Sequence, residues 1–93
     1  GLFALTVNGD SMIDSFIADG DMVLMEPVND PSRLRNGTVV SAMVPGLGTT
    51  LKHFFRDGSL VRLEAANPAY EPIELDAEQV HVQGKLAAVW RKT

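Results

Sequence analysis

The sequence predicts a mainly β domain, a small barrel-like folded sheet of short, mostly antiparallel strands with one short helix. The apolar runs are short and rich in Val, Leu, Ile, Phe and Thr, a composition that favours strands. Gly, Asp, Asn and Pro interrupt these runs repeatedly, which indicates many tight turns. With 93 residues and no cysteine, the chain fits a single domain, residues 1–93, with one modest core and no disulfide framework.

Six segments have the composition and length of strands. They are residues 2–7, 21–26, 38–44, 49–55, 60–64 and 80–90. Between them stand short sequences that tolerate or preset turn conformations. These are Asn8-Gly9, Asp19-Gly20, Asn36-Gly37, Gly46 to Gly48, Asp57-Gly58 and Asn67-Pro68. Residues 26–35 carry two prolines and alternating charges, so we expect a loop there.

One helix is predicted, over residues 11–17. Met12, Ile13, Phe16 and Ile17 recur at helical spacing behind a Ser or Asp that could cap the first turn. A helix of this length makes only about two turns.

The charge balance argues against direct contact with nucleic acid. Eight Lys and Arg stand against twelve Asp and Glu, which gives a net charge of −4, and no basic stretch is long enough to follow a phosphate backbone. No apolar run approaches the roughly 18 residues of a membrane-spanning helix. We therefore expect a soluble domain without a membrane partner.

Ser11 is a candidate nucleophile because it follows the Asn8-Gly9 turn directly and opens the predicted helix. Free backbone N–H groups at such a position can stabilise an oxyanion, and the helix dipole favours negative charge there. The alternative, that Ser11 or Asp10 is only a helix cap, remains open from this segment alone.

Lys52 lies in the middle of a predicted strand, and the period of two places it on the same face as Thr50 and Phe54. A lysine among apolar side chains either extends its amine to solvent or has a lowered pKa. At its ordinary pKa of about 10.4, only about one lysine in a thousand is neutral at physiological pH, so a working base needs the lowering that burial can supply. Such a lysine can take the proton of Ser11 without a histidine or an aspartate.

Five short motifs, taken in chain order, resemble one known family. The motifs are Gly9-Asp10-Ser11-Met12, Asp19-Gly20-Asp21, Asn36-Gly37-Thr38-Val39-Val40, Thr50-Leu51-Lys52 and Asn67-Pro68-Ala69-Tyr70-Glu71-Pro72-Ile73. Their order and spacing are similar to the self-cleaving domain of LexA-type repressors and UmuD-like proteins, the S24 peptidases. The match covers nearly the whole chain, and it is the succession of motifs that is specific.

The resemblance implies the roles of particular residues. Ser11 matches the nucleophile and Lys52 the base, and the backbone N–H groups of Asp10 and Ser11 match the oxyanion donors. It also implies a compact β fold in which a linker of the same chain enters the cleft and is cut, usually after the alanine of an Ala-Gly bond. This sequence contains neither Ala-Gly nor Cys-Gly, so the expected scissile bond lies upstream of Gly1.

The resemblance further implies partners. They are the RecA filament on single-stranded DNA as the stimulus, a second copy of the chain in a homodimer, and operator DNA through an N-terminal winged-helix domain that this chain lacks. No cofactor or metal is implied, and the implied location is the bacterial cytoplasm. A UmuD-like polymerase accessory subunit and a non-catalytic dimerisation module of the phage-repressor type remain alternatives. A type I signal peptidase is disfavoured because the membrane anchor and large β extension of that class are missing from the sequence.

The last predicted strand is a candidate dimer strand. It alternates Lys and Arg with apolar residues near its end, and an open edge of this kind either carries protective charges or pairs with a partner. Leu86, Ala88 and Trp90 are the residues we expect at such an interface, although Trp90 could equally belong to the core.

Other chemical candidates have simpler interpretations. His53 and His81 stand in no triad motif, and strand alternation turns His53 away from Lys52. Asp10, Asp14, Asp19 and Asp21 do not have the spacing of a calcium loop, and turn or capping roles are commoner for aspartate. The methionines are expected in the core, with Met12 also a candidate for the substrate groove; they are Met12, Met22, Met25 and Met43.

Overall fold

The computed structural model describes residues 1–91 as one antiparallel sheet of seven strands. In chain order the strands are β1 (Phe3–Thr6), β2 (Met22–Pro27), β3 (Thr38–Val44), β4 (Gly48–Asp57), β5 (Leu60–Glu64), β6 (Ile73–Asp76) and β7 (His81–Trp90). Three 3-10 turns, Ile13–Ser15, Pro31–Arg33 and Ala77–Gln79, lie between strands. The predicted mainly β, antiparallel class is confirmed.

The sheet is folded but not closed. Its strand order is β1-β2-β7-β3-β4-β5-β6, and among the described residues β1 and β6 do not pair with each other. The expected folded, barrel-like sheet is therefore present, but it is not closed into a barrel. Bulges between Leu24 and Met25 and between Ser41 and Ala42 shift the register on both sides of β7, which is where a sheet bends and twists more strongly.

The observed strands follow most of the predicted ones. β3 and β5 have the predicted bounds, whereas β4 is longer at both ends. β6 was not predicted, because a four-residue strand alternates only twice. Residues 26–35 are not wholly a loop, since β2 continues to Pro27 and Asp30 caps the turn Pro31–Arg33 by accepting a hydrogen bond from the Ser32 N–H.

The short helix predicted after Ser11 is present, but it is a single 3-10 turn instead of the two turns expected over residues 11–17. The structure has only the 3-10 turn Ile13–Ser15, which begins after Met12 with no side-chain cap. It ends at Phe16, whose φ of 61° is left-handed and stops the turn. A single turn has no appreciable macrodipole, so the dipole argument for an oxyanion site at Ser11 does not hold.

Two apolar clusters form the core. One is formed by side chains of β3, β4, β5 and β7 and contains Val40, Ala42, Val44, Phe54, Val61, Leu63 and Val82. The other packs the segment after Ser11 against β2 and contains Met12, Ile17, Val23 and Met25. The prediction that all four methionines are core residues is thus wrong for Met22 and Met43, which are exposed.

β7 has a neighbouring strand on both sides over the first half of its length and on one side over the rest. It pairs with β3 only over His81–Lys85, whereas it pairs with β2 as far as Trp90. Residues 87–90 are exposed, and Trp90 is 56% exposed, so the core alternative for this tryptophan is wrong. No helix within residues 1–91 is long and apolar enough to cross a membrane.

Candidate active site

Ser11 and Lys52 meet in a groove of about 410 Å³. One wall is formed by the end of β1 and the turn that follows it, and the other by the start of β4. The Lys52 Nζ lies 3.0 Å from the Ser11 Oγ, although the two residues are 41 positions apart in the chain. The structure therefore brings together the two residues predicted as nucleophile and base.

Lys52 has three hydrogen-bond partners at its amine. They are the Ser11 Oγ at 3.0 Å, the Thr50 Oγ1 at 2.7 Å and the Leu51 carbonyl at 3.2 Å. A protonated amine can donate to all three. A neutral amine has two N–H donors and one lone pair, so it can donate to Thr50 and Leu51 while it accepts from the Ser11 hydroxyl. The same partners thus suit both protonation states.

Burial lowers the pKa of Lys52 below its ordinary value of 10.5. The residue is only 7% exposed, and desolvation penalises its charged form. Within residues 1–91, no carboxylate forms an ion pair with Lys52 that would offset this penalty. The amine is therefore closer to neutrality than a surface lysine.

Asp19 stabilises the turn that leads into Ser11. Gly9 has a φ of 90°, which a residue with a side chain rarely adopts, and its N–H donates to the Asp19 Oδ1 at 2.6 Å. The Asn8-Gly9 turn is therefore held against the Asp19-Gly20 turn, as Gly20 N–H also donates to the Val7 carbonyl at 2.8 Å.

Asp10 is bound by two residues of the loop between β5 and β6. The Tyr70 hydroxyl donates to the Asp10 Oδ1 at 2.6 Å, and the Asn67 side-chain amide donates to the Asp10 carbonyl at 2.9 Å. The hydrogen bond to this carboxylate, together with its charge, raises the pKa of Tyr70. Tyr70 also lines the groove. Sequence analysis identified Asn67-Pro68 as a turn and residues 67–73 as a family motif, but it did not predict either contact.

The predicted oxyanion donors are available in the structure. Among the described residues, neither the N–H of Asp10 nor that of Ser11 donates to a protein acceptor. Met12 lines the groove, while its side chain is buried in the core beneath it. The oxyanion role of Asp10 and Ser11 and the groove role of Met12 stay predictions.

His53 and His81 lie apart from the Ser11–Lys52 pair. The His53 Nδ1 lies 2.9 Å from the Gly37 carbonyl and its Nε2 lies 3.0 Å from the Ser15 Oγ. Because a carbonyl only accepts, Nδ1–H is the donor and Nε2 can accept from the Ser15 hydroxyl. His53 therefore links the segment after Ser11 to the start of β3, and His81 is exposed at the start of β7.

The predicted turn roles fit the contacts of Asp19 and Asp21 with backbone N–H groups, whereas the Asp10 carboxylate binds the distant Tyr70. Asp10 and Asp19 accept the bonds described above, and Asp21 accepts from the Ala18 N–H at 2.8 Å and from Arg91. Within the described part of the chain, no group of three or more His, Asp or Glu side chains is placed to hold a metal ion. The bidentate contact between Asp21 and Arg91 was not predicted.

The predicted dimer residues all pair with β2. Leu86 lies opposite Met25, Ala88 opposite Leu24 and Trp90 opposite Met22. Leu86 is half-buried, whereas Ala88 and Trp90 are exposed. Their part in a dimer remains a prediction.

A serine hydroxyl in contact with a buried lysine amine is an arrangement in which a neutral amine can activate a serine as a nucleophile. The chain belongs to the Peptidase S24-like family, whose family model matches residues 1–87. This confirms the family that the motifs indicated.

Three relatives give a finer comparison. The chain is 44% identical over 91 residues to the LexA repressor of Koribacter versatilis, covering 98% of this chain and 42% of the relative. It is 39% identical over 90 residues to the LexA repressor of Zymomonas mobilis subsp. mobilis, covering 97% and 40%. It is 45% identical over 89 residues to the LexA repressor of a Ruegeria species, covering 96% and 36%. The chain thus spans about two fifths of the length of these relatives.

Proposed function

We propose that this chain is the self-cleavage and dimerisation domain of a LexA-like transcriptional repressor of the bacterial SOS response to DNA damage. The observation that carries this proposal is the Lys52 amine, which is buried, forms no ion pair within residues 1–91 and lies 3.0 Å from the Ser11 hydroxyl. The similarity to three LexA repressors supports the biological role. The substrate is the protein's own linker upstream of Gly1, typically at an Ala-Gly bond.

The reaction begins when neutral Lys52 accepts the Ser11 proton as the Oγ attacks the carbonyl carbon of the scissile bond. The negative charge that develops on the carbonyl oxygen is stabilised by the N–H groups of Asp10 and Ser11. The Lys52 ammonium, held by Thr50 and the Leu51 carbonyl, then returns the proton to the leaving amine. Water hydrolyses the resulting acyl-serine with Lys52 again as the base.

The groove suits an extended peptide as substrate. β1 is an edge strand, and its last residues together with Val7 form one wall of the groove. An unpaired strand edge can bind an extended segment through main-chain hydrogen bonds. A linker of the same chain arrives at a high effective concentration, so weak contacts suffice to place it.

Regulation and DNA binding belong to the longer protein. The RecA filament on single-stranded DNA is the proposed stimulus that favours the cleavage-competent state. Operator DNA is bound by an N-terminal domain, because the net charge of −4 opposes phosphate contact by this domain. The proposed location of the repressor is the bacterial cytoplasm.

The test uses a longer chain that includes the natural residues upstream of Gly1. This protein should cut itself at alkaline pH without any added protein, because raising the pH deprotonates Lys52 directly. Ser11→Ala should abolish cleavage and leave the far-ultraviolet circular dichroism unchanged. Ser59→Ala, at an exposed serine between β4 and β5, is the matched control and should cleave normally. Cleavage of the Ser11→Ala protein at the normal rate would overturn the proposal.

A further inference from the structure

The carboxylate of Asp21 is only 3% exposed, directly behind the segment that follows Ser11. Its Oδ1 accepts a hydrogen bond from the Arg91 Nε at 2.8 Å, and its Oδ2 accepts from the Arg91 Nη2 at 2.7 Å and the Ala18 N–H at 2.8 Å. The paired donation by Arg91 holds the pKa of Asp21 at about 2. The carboxylate is therefore charged and fully engaged at every pH at which a lysine base could act.

Arg91 also holds the segment itself. Its Nη2 donates to the Phe16 carbonyl at 3.1 Å, and Phe16 is the residue in the left-handed conformation. Left-handed backbone is unfavourable for a residue with a side chain and persists where surrounding contacts impose it. The contact with Arg91 is one such constraint.

The constraint reaches Ser11 through a continuous set of hydrogen bonds. The N–H groups of Ser15 and Ile17 donate to the Met12 carbonyl at 3.0 Å and 3.3 Å, which makes residues 12–17 one closed turn. Met12 follows Ser11 directly, and Met12 and Ile17 are both anchored in the core. A shift at Phe16 is therefore transmitted to the residue next to the nucleophile.

The same aspartate also holds the end of β1, which forms part of a groove wall. The Asp21 carbonyl accepts a hydrogen bond from the Val7 N–H at 2.8 Å, and Val7 lines the groove. Asp21 therefore contacts both the segment after Ser11 and the end of β1, while Arg91 connects both to the end of β7.

We propose that Asp21 and Arg91 are a positioning pair that holds the Ser11 hydroxyl at the distance from Lys52 needed for proton transfer. The inference rests on the proposed function of Ser11 as nucleophile. The pair does not touch the substrate, and it acts through the turn of residues 12–17. Because Arg91 directly follows β7, the position of the nucleophile depends on where this strand ends.

The test measures how fast Ser11 reacts with a fluorophosphonate probe in the 93-residue chain, from about pH 6 to pH 11, a range that spans shifted and unshifted lysine pKa values. The variants are Arg91→Ala, Arg91→Lys and Asp21→Asn, and each rate is divided by the fraction of folded protein from circular dichroism. Arg62→Ala removes a half-buried arginine that contacts Glu64 and the Phe55 ring and does not line the groove, and it is the matched control.

We expect the plateau rate of Arg91→Ala and Asp21→Asn to fall at least about tenfold, because small misplacements of a reacting group cost this much or more. The pH midpoint should move little, since the burial that lowers the pKa of Lys52 is retained in these variants. Arg91→Lys should recover part of the rate, because a lysine keeps the charge but cannot donate to Asp21 in a bidentate manner and to Phe16 together. Arg62→Ala should react as the unchanged chain does.

A plateau equal to that of the unchanged chain in folded Arg91→Ala would overturn the inference. If Arg91→Ala does not fold, Arg91→Lys and Asp21→Asn decide, and unchanged plateaus in both would overturn it. Failure of the unchanged chain to react at Ser11 would overturn the proposed nucleophile, and the inference with it, which separates the two results.

Discussion

At the scale of single residues, the hydrogen-bond partners of Lys52 suit both its charged and its neutral form. Charged Lys52 donates to Ser11, Thr50 and Leu51, so its burial does not leave an unpaired ammonium. Neutral Lys52 still donates to Thr50 and Leu51, and its lone pair accepts a hydrogen bond from the Ser11 hydroxyl. The desolvation that would be a defect elsewhere in a strand here lowers the pKa of Lys52, so a larger fraction of the amine is neutral and able to accept a proton.

Asp21 has the opposite electrostatic situation, and this leads to a prediction for stability in acid. Its folded pKa of about 2 is below the ordinary value of 3.8, so the unfolded chain takes up the proton first as the pH falls. The stability contributed by charged Asp21 is complete above pH 3.8 and is lost as the pH falls towards 2. Asp21→Asn lacks this contribution at every pH.

The measurement is the melting temperature of both proteins between about pH 6 and pH 2, where carboxylates titrate. The unchanged chain should be the more stable at pH 6, and the difference should shrink as the pH approaches 2. A difference that stays constant over this range would show that Asp21 is not held ionised by Arg91.

At the scale of elements, β3 contains a buried group that has no partner. The Ser41 hydroxyl is buried without a hydrogen bond to any described residue, opposite Leu51 and Gly84. An unsatisfied buried hydroxyl costs free energy, whereas alanine places only a methyl group there. We expect Ser41→Ala to raise the free energy of unfolding by about 1 kcal/mol.

Ser15→Ala is the matched control for this prediction. It removes a hydroxyl that has a partner, the His53 Nε2 at 3.0 Å, so this variant should be less stable than the unchanged chain. Denaturant unfolding of the three proteins gives both differences. A loss of stability in Ser41→Ala would mean that the hydroxyl is satisfied in solution.

Strands with strong local signals could be predicted from the sequence, and weak ones could not. β3 lies between two glycine turns and β5 follows one, both strands are rich in apolar residues, and their bounds were predicted correctly. β6 has four residues, and its partner β5 determines it more than its own composition does. In residues 11–17, Met12 and Ile17 are buried as the helical pattern implied, but a tight turn buries them while Phe16 stays 84% exposed.

The candidate site was partly predictable for a related reason. Ser11 and Lys52 are residue types with known chemistry, and their motifs indicated the family. Tyr70 contacts Asp10 across 60 positions, and Arg91 contacts Asp21 across 70 positions. No local pattern marks which side chains from such distant segments will meet, so these contacts needed the structure.

At the scale of the whole molecule, the open half of β7 offers a surface for a second copy. The β3–β7 pairing ends at Lys85, so within the described chain residues 86–90 have one unpaired edge, and the apolar residues 87–90 are exposed. An unpaired strand edge of this kind favours pairing with an identical edge about a two-fold axis.

We predict a dimer by sedimentation and a weakened dimer for Trp90→Lys. A proline at Ala88 would also perturb the β2–β7 pairing, because Ala88 lies opposite Leu24, and a charged residue at exposed position 90 avoids this. Leu47→Lys changes another exposed apolar residue, at the tip of the β3–β4 hairpin, and should leave the dimer intact. A monomeric unchanged chain at high micromolar concentration would remove this interface.

The central claim is that Lys52 activates Ser11 as a neutral amine. The most direct measurement is the rate of self-cleavage of the linker-containing chain, with Lys52 and with Lys52→Arg, from about pH 6 to pH 11. The unchanged protein should accelerate along a single ionisation and level off once the amine is neutral. The arginine protein should be nearly inert at neutral pH, since a guanidinium keeps its proton over this range. Superimposable profiles for the two proteins would contradict the role of Lys52 as the base.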